Sequence, residues 1–210
     1  MLEEYYNKET KTLRIAFDFN EELKDLPLDT EIIIFDENYN KLQISLFNES
    51  VDNKLPSNLR HLTFGRYFNQ KVYNLPNSLT HLTFGEFFNQ QVDKLPETLI
   101  HLTLGECFNR EVNNLPNSLT HLTFGEFFNQ QVGNLPNSLT HLTFGDDFNQ
   151  SVDNLPSSLT HLTLSDFNRQ IDNLPLNIKE IKIHREQKNV IKKVPFECKI
   201  IDENNTEIFL

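Results

Sequence analysis

Cysteines, long apolar runs and an apolar leader are scarce or absent in this chain of 210 residues. It has only two cysteines, and no stretch approaches the ~18 consecutive apolar residues of a membrane span. The first ten residues are acidic and polar and do not resemble a signal peptide. The sequence therefore predicts a cytoplasmic protein that does not enter membranes.

Basic residues are also outnumbered. The chain has 19 Lys and Arg against 30 Asp and Glu, which gives a formal net charge of -11 at pH 7. This charge would repel a phosphate backbone, and no stretch of the sequence forms a compensating basic face. We therefore expect no nucleic-acid partner, and we expect a protein partner that presents a basic or polar segment.

Motifs for catalysis and metal binding are missing too. The sequence has no glycine-rich phosphate loop, no Gly-x-Ser-x-Gly motif and no Cys/His cluster with zinc spacing. We accordingly expect no enzyme activity, no cofactor and no metal site.

The chain is built from a repeat of 20 residues. Leu75–Lys94 and Leu115–Asn134 differ only at their last two positions, and this self-similarity predicts a solenoid. With coils stacked about 4.8 Å apart, Cys107 and Cys198 would lie roughly 20 Å apart, too far for a disulfide. Further copies of the repeat begin at Leu55, Leu95, Leu135, Leu155 and, after a shortened copy, Leu174.

Each repeat contains one short strand. Apolar and polar residues alternate in the sequence HLTF that begins at His61, so Leu62 and Phe64 should point inward while His61 and Thr63 point outward. The period is too short for a helical crossover, and the return path should therefore be extended or turn-like. The inward side chains of one repeat are predicted to be Leu59, Leu62, Phe64, Phe68, Val72 and Leu75.

The two ends depart from the regular repeat. Residues 1–12 form a polar lead-in, and residues 13–54 form atypical coils in which EIIIF and KLQIS around the turn-rich DENYN predict a hairpin insertion. Regular repeats cover residues 55–173. Residues 174–210 are predicted to form an atypical coil followed by a capping hairpin that turns at the sequence DENN.

A Phe-Asn pair recurs eight times, from Phe19 to Phe167, and each Asn directly follows its Phe. We expect the Phe to fill the coil and the Asn to bond backbone groups of its own turn and of the next. Glycine recurs at another position, where Ala16, Ser45 and Ser165 stand in the irregular coils, so this position should require a small residue rather than a positive φ. The asparagines of the predicted structural ladder are Asn69, Asn89, Asn109, Asn129, Asn149 and Asn168.

The consensus LPxSLTHLTFGxxFNQxVxN resembles the FNIP repeat, a leucine-rich-repeat variant named after its Phe-Asn and Ile/Leu-Pro elements. The resemblance covers residues 13–195 and implies a leucine-rich-repeat-like solenoid that is mainly β, with little helix. FNIP-repeat proteins are typical of social amoebae and giant viruses. An F-box often precedes their repeats and implies delivery of a target to a ubiquitin ligase, but the residues before Leu13 are too few for an F-box.

The outward residues of the strands form the candidate binding face. Columns of histidine and threonine, bordered by carboxylates that follow the glycines, predict a polar groove with one acidic wall. The histidines could form a stacked neutral ladder or a recognition surface, whereas a linear column offers a metal ion at most two neighbouring ligands. The candidate residues are His61, His81, His101, His121, His141, His161, Thr63, Thr83, Thr103, Thr123, Thr143, Thr163, Glu86, Glu106, Glu126 and Asp146.

Several functions are compatible with these features. The first is a non-catalytic protein–protein interaction module that binds an extended protein segment on the strand face. The second is a structural or self-assembling spacer, in which the end hairpins and Phe209 make the contacts. The third is the substrate-recognition part of a ubiquitin-ligase system that lacks its F-box. The columns could also be a solvated face without a partner.

Overall fold

The computed structural model describes residues 5–36 and 43–209, which form one sheet of eleven strands arranged in chain order. From β2 onward, neighbouring strands are parallel. The fold is a solenoid of about nine coils, as predicted. The strands are β1 Tyr6–Asn7, β2 Thr12–Ile15, β3 Ile32–Phe35, β4 His61–Thr63, β5 His81–Thr83, β6 His101–Thr103, β7 His121–Thr123, β8 His141–Phe144, β9 His161–Leu164, β10 Glu180–Ile183 and β11 Lys199–Ile201.

The one helix that lies wholly within the described residues is a 3-10 helix at Arg185–Val190. No helix in this part of the chain is long and apolar enough to cross a membrane. Turns carry the chain around each coil instead. Leu59 N–H donates to Pro56 O at 3.1 Å and Phe68 N–H donates to Gly65 O at 3.3 Å, and both turns recur along the repeats.

The side chains predicted to point inward form one continuous core. Leu62, Phe64 and Phe68 are between 0% and 2% exposed, and their equivalents in the other regular coils are also buried. The ring centroids of Phe64 and Phe68 lie 3.7 Å apart within one coil, and those of Phe68 and Phe88 lie 6.2 Å apart between coils. The core is therefore closed by stacking, since each coil covers the apolar edge of the next.

Asparagine side chains also connect the coils. Asn69 Oδ1 accepts a hydrogen bond from Asn89 N–H at 2.9 Å, and Asn89 Oδ1 accepts one from Asn109 N–H at 3.1 Å. The series extends from Asn20 to Asn168 and includes the irregular coils. Each bond gives an acceptor to a backbone N–H in a turn, which no neighbouring strand can satisfy.

The glycine position is fixed by contact between backbones. No glycine among the described residues has a positive φ. A Cβ built on Gly85 would lie 2.2 Å from Gly65 O, closer than any side-chain atom can approach. The prediction that this position requires a small residue is therefore confirmed.

Both ends of the sheet finish in an antiparallel pairing. β1 pairs with β2 and places Tyr6 opposite Leu13, although the polar lead-in carried no sequence signal for a strand. At the other end, Ile201 bridges Glu207 around a turn held by Asp202 Oδ1, which accepts from Asn204 N–H at 3.0 Å and Thr206 N–H at 2.8 Å. The capping hairpin predicted there agrees with this geometry, and both pairings cover an open edge strand.

The predicted N-terminal hairpin needs a correction in its first arm. β3, which contains most of EIIIF, is the strand of the second coil and pairs in parallel with both β2 and β4. Ile33 pairs with Leu62, so this run of apolar residues fills the inward positions of a regular strand. The extra residues are inserted after β3, and residues 37–42 lie outside the described part of the chain.

Candidate functional site

The strand face carries two columns in register. Parallel pairing places His81 beside His61 and His101, and it places the following threonines beside one another in the same way. The leucine between each His and Thr is buried, so the strand alternation turns both flanking side chains outward. The histidines and threonines are all half-buried.

The six histidines form one stack of imidazole rings. Neighbouring centroids lie 4.1–4.3 Å apart, and the angles between ring planes are 6–28°. Parallel rings aim their nitrogens sideways and not at a common point, whereas a metal site needs converging ligands. No group of three His, Cys, Asp or Glu in the described residues could hold a metal ion.

A threonine before the histidine sets the tautomer in four coils. Thr80 Oγ1 lies 2.9 Å from His81 Nδ1, and it also donates to Arg60 O at 3.1 Å. The hydroxyl has one proton, so the imidazole must donate from Nδ1, which leaves Nε2 as an acceptor. The other coils with this arrangement contain Thr120, Thr140 and Thr160.

His101 departs from this pattern. Ile100 precedes it in place of a threonine, so no hydroxyl lies at that position. The buried Nδ1 of His101 has no hydrogen-bond partner among the described residues. Ile100 in place of threonine therefore leaves a buried polar atom of the stack without a hydrogen bond to the described part of the chain.

Burial and mutual repulsion favour neutral imidazoles in the stack. Desolvation, followed by the charge of neighbouring histidines, lowers the pKa of His121 to about 4. The same two causes lower the pKa of His61, His81 and His141, and the carboxylate of Glu180 partly opposes the shift at His141. Charging one ring therefore costs more in the folded state than in the unfolded chain.

Acidification should destabilise the fold through this stack. These pKa values lie below the ~6.5 of an unfolded histidine, so the unfolded chain binds more protons in this range. The stabilisation is complete above about pH 6.5 and decreases as the pH falls toward about 4. We expect thermal unfolding to show a Tm lower by on the order of 5 °C at about pH 5 than at about pH 7.5.

Two variants separate the stack from other titrating groups. His121→Gln should weaken the pH dependence of Tm, because it removes the imidazole in the middle of the stack. His184→Gln removes a histidine outside the stack and should retain the full dependence. Identical Tm profiles for the wild type and both variants would contradict a neutral stack.

The four carboxylates of the predicted acidic wall differ in their exposure. Glu106, Glu126 and Asp146 are exposed, whereas the side chain of Glu86 is only 19% exposed. Arg66 covers Glu86, with Nη2 2.7 Å from Oε1. The wall is therefore made of one paired carboxylate followed by three exposed ones.

A second column beside this wall has no counterpart in the sequence predictions. Tyr67 is 41% exposed and Phe127 is 42% exposed, with Phe87 and Cys107 half-buried between them. The rings of Tyr67 and Phe87 stack with their centroids 5.2 Å apart. The sequence feature that could have predicted this column is the doubled Phe of GEFFN, because only the second Phe is buried in the core.

A cleft of about 700 Å³ lies at the C-terminal end of the face. It lies beside the coil in which the repeat is one residue shorter. There Phe167 N–H donates to Gln187 Oε1 at 3.0 Å, whereas the equivalent Phe108 N–H donates to Gly105 O within its own coil. The lining is polar and includes Asp146, Thr163, Asp166, Lys182, His184 and Glu203.

The two cysteines are unsuited to nucleophilic chemistry. Desolvation by burial raises the pKa of Cys198 to about 11. The pKa of Cys107 is raised by desolvation and then by Glu86, Glu106 and Glu126. Both thiols therefore stay protonated near neutral pH.

The family model described as FNIP Repeat matches residues 47–87, 71–107, 88–127, 108–147, 128–166 and 148–186. The sequence is 43% identical to that of CroV588, a circular LRR protein from a giant virus whose crystal structure is known. The two structures superpose with a TM-score of 0.77, over 91% of this chain and 30% of CroV588.

A more distant likeness shows the fold alone. YopM from Yersinia enterocolitica WA-314 is 19% identical, with a TM-score of 0.51 over 85% of this chain and 43% of that one. The chain thus spans less than half of either protein, and no curated protein sequence matches it. Because the FNIP matches cover most of the chain and contain the Phe-Asn and Leu-Pro elements of the regular coils, this chain belongs to the FNIP repeat family.

Proposed function

We propose that this chain is a protein-interaction module that binds an extended, basic or polar protein segment along its strand face. The observation that supports the proposal is the register of the strands, which aligns the outward side chains of successive coils, together with the exposed carboxylates that follow the strands. Leucine-rich-repeat-like solenoids are commonly used for protein interaction. Their extended surfaces suit a segment that crosses several coils.

Charge supports a basic segment in particular. The chain has a formal net charge of -11. Glu106, Glu126 and Asp146 add three exposed carboxylates in successive coils. Opposite charges at the edge of an interface speed association and fix the register of the partner.

A peptide selected on the wild-type chain from a random display library supplies the probe for a test. The triple variant Glu106→Lys, Glu126→Lys, Asp146→Lys should weaken its binding at least about tenfold. The control Asp93→Lys, Glu111→Lys, Asp153→Lys makes the same change in net charge at exposed outer turns and should bind like the wild type. Equal affinity of the peptide for both triple variants would contradict the proposal, since the wall carboxylates would then not contribute to binding.

A self-assembling spacer is the second candidate, and apolar side chains near the C-terminal end favour it. Leu176 is 87% exposed and Phe196 is 90% exposed, at the position after proline where regular repeats carry Ser, Asn or Glu. If this candidate is right, sedimentation will show an oligomer for the wild type and a monomer for Leu176→Asn, Phe196→Asn. A monomeric wild type would exclude it.

A further inference from the structure

We propose that Glu126 and Phe127, together with Glu106, form a receptor for an arginine side chain of a partner protein. The inference rests on the proposed function, because it names the anchor residue of the segment bound beside the strand face. At the turn beside the acidic wall, the bound guanidinium would lie over the aromatic ring and pair with the carboxylates.

The chain contains an internal precedent for this receptor. Arg66 Nη2 lies 2.7 Å from Glu86 Oε1, and its Cζ lies 5.3 Å from the centroid of the Phe87 ring. One guanidinium is thus held by a carboxylate and an aromatic ring that are consecutive in the sequence. This combination of charge and ring contact is favourable for arginine.

The receptor residues repeat the same backbone geometry two coils later. Phe87 N–H donates to Arg66 O at 2.9 Å, and Phe127 N–H donates to Glu106 O at 2.9 Å. The turns are therefore stacked in the same register at both places. Glu126 and Phe127 consequently stand in relation to residue 106 as Glu86 and Phe87 stand in relation to Arg66.

The difference is the residue one coil earlier. Position 106 is glutamate and not arginine, so the repeat itself supplies no guanidinium at the equivalent place. Glu106 and Glu126 are exposed, and Phe127 is 42% exposed. Two like charges beside an uncovered ring repel each other, and a cation from another molecule would relieve this repulsion.

The receptor is limited to one coil. Cys107 takes the place of the ring in the coil before, and Asp147 takes it in the coil after. A partner therefore meets an exposed ring directly after an exposed carboxylate at one position along the wall. Arginine should be preferred to lysine there, because the planar guanidinium can lie on the ring and bond carboxylate oxygens at its edge.

Two pentapeptides, acetyl-Gly-Gly-Arg-Gly-Gly-amide and its Lys counterpart, test the receptor by titration of the isotopically labelled full chain in NMR. We expect the arginine peptide to shift the backbone amides of Glu126 and Phe127 with a Kd at least about threefold lower than that of the lysine peptide. Equal shifts from both peptides, or larger shifts elsewhere on the chain, would overturn the inference.

Three variants sharpen the result. Phe127→Ala should abolish the preference for arginine, and Phe127→Tyr should keep it. Glu106→Arg should remove peptide binding, because its own guanidinium would occupy the receptor as Arg66 occupies the equivalent site. The amide spectrum of each variant reports directly whether it is folded, and retained binding by folded Glu106→Arg would contradict the inference.

The two experiments together distinguish a failure of the receptor from a failure of the proposed function. If a library-selected peptide depends on the acidic wall but the arginine pentapeptide does not shift Phe127, the receptor is wrong and the interaction module stands. If the pentapeptide binds at Phe127 but the library-selected peptides bind independently of the acidic wall, the receptor is right and the interaction module is wrong.

Discussion

Phe128→Ala should lower the free energy of unfolding by about 3–5 kcal/mol, whereas Phe127→Ala, one residue earlier, should change it by less than about 1 kcal/mol. Phe128 is 0% exposed, and its ring centroid lies 3.7 Å from that of Phe124 within the coil. It also lies 6.0 Å from the Phe108 ring and 6.1 Å from the Phe148 ring in the coils on either side. Truncation therefore opens a cavity that spans three coils.

The measurement is urea unfolding followed by circular dichroism. A one-layer solenoid has no second core to share the loss, so unfolding of Phe128→Ala should also become less cooperative as the array divides at the weakened coil. Phe127→Ala is the matched control, because the same side chain is removed from a 42% exposed position. Similar losses for the two variants would contradict the assignment of inward and outward positions.

Gly105→Ala should destabilise the fold by about 1–3 kcal/mol. Its Cβ would lie 1.8 Å from Gly85 O, and both residues belong to turns whose backbones are bonded between coils. Since no flexible side chain can move aside, the two turns must separate. The stacking bonds next to this position, such as Cys107 N–H to Glu86 O at 2.8 Å, would weaken as a result.

Gly133→Ala provides the control. A Cβ at Gly133 would meet no atom within 4 Å, and Gly133 has no positive φ. This substitution should therefore be neutral or stabilising by about 0.4–1 kcal/mol, through the reduced freedom of the unfolded chain. Thermal unfolding of the two variants gives the comparison, and a Tm for Gly105→Ala at or above that of Gly133→Ala would contradict the close stacking.

Much of the fold could be predicted because one repeat determines its neighbours. Alternation at His61-Leu62-Thr63-Phe64 fixed the strand, and a period too short for a helix left turns as the return path. The prediction was less complete where the repeat is interrupted. β3 resembled a hairpin arm because its apolar run has no polar outward residues, and β1 has too few residues to show a pattern.

The candidate site was predictable in position but not in detail. Periodicity alone placed the histidines, threonines and carboxylates in columns. It could not show that a threonine sets the tautomer of the histidine that follows it in four coils, since this depends on a hydroxyl shared with the preceding coil. It also could not show that Arg66 reaches Glu86 and Phe87, because the contact joins side chains that are 20 residues apart.

The central claim is that the strand face and its acidic wall receive an extended segment, and an amide chemical-shift map of the library-selected peptide on the labelled chain tests it most directly. We predict that the largest shifts lie in β4 to β9 and at Glu106 and Glu126. Shifts confined to the outer turns near Asp93 and Glu111, or to the C-terminal coils near Phe196, would contradict it.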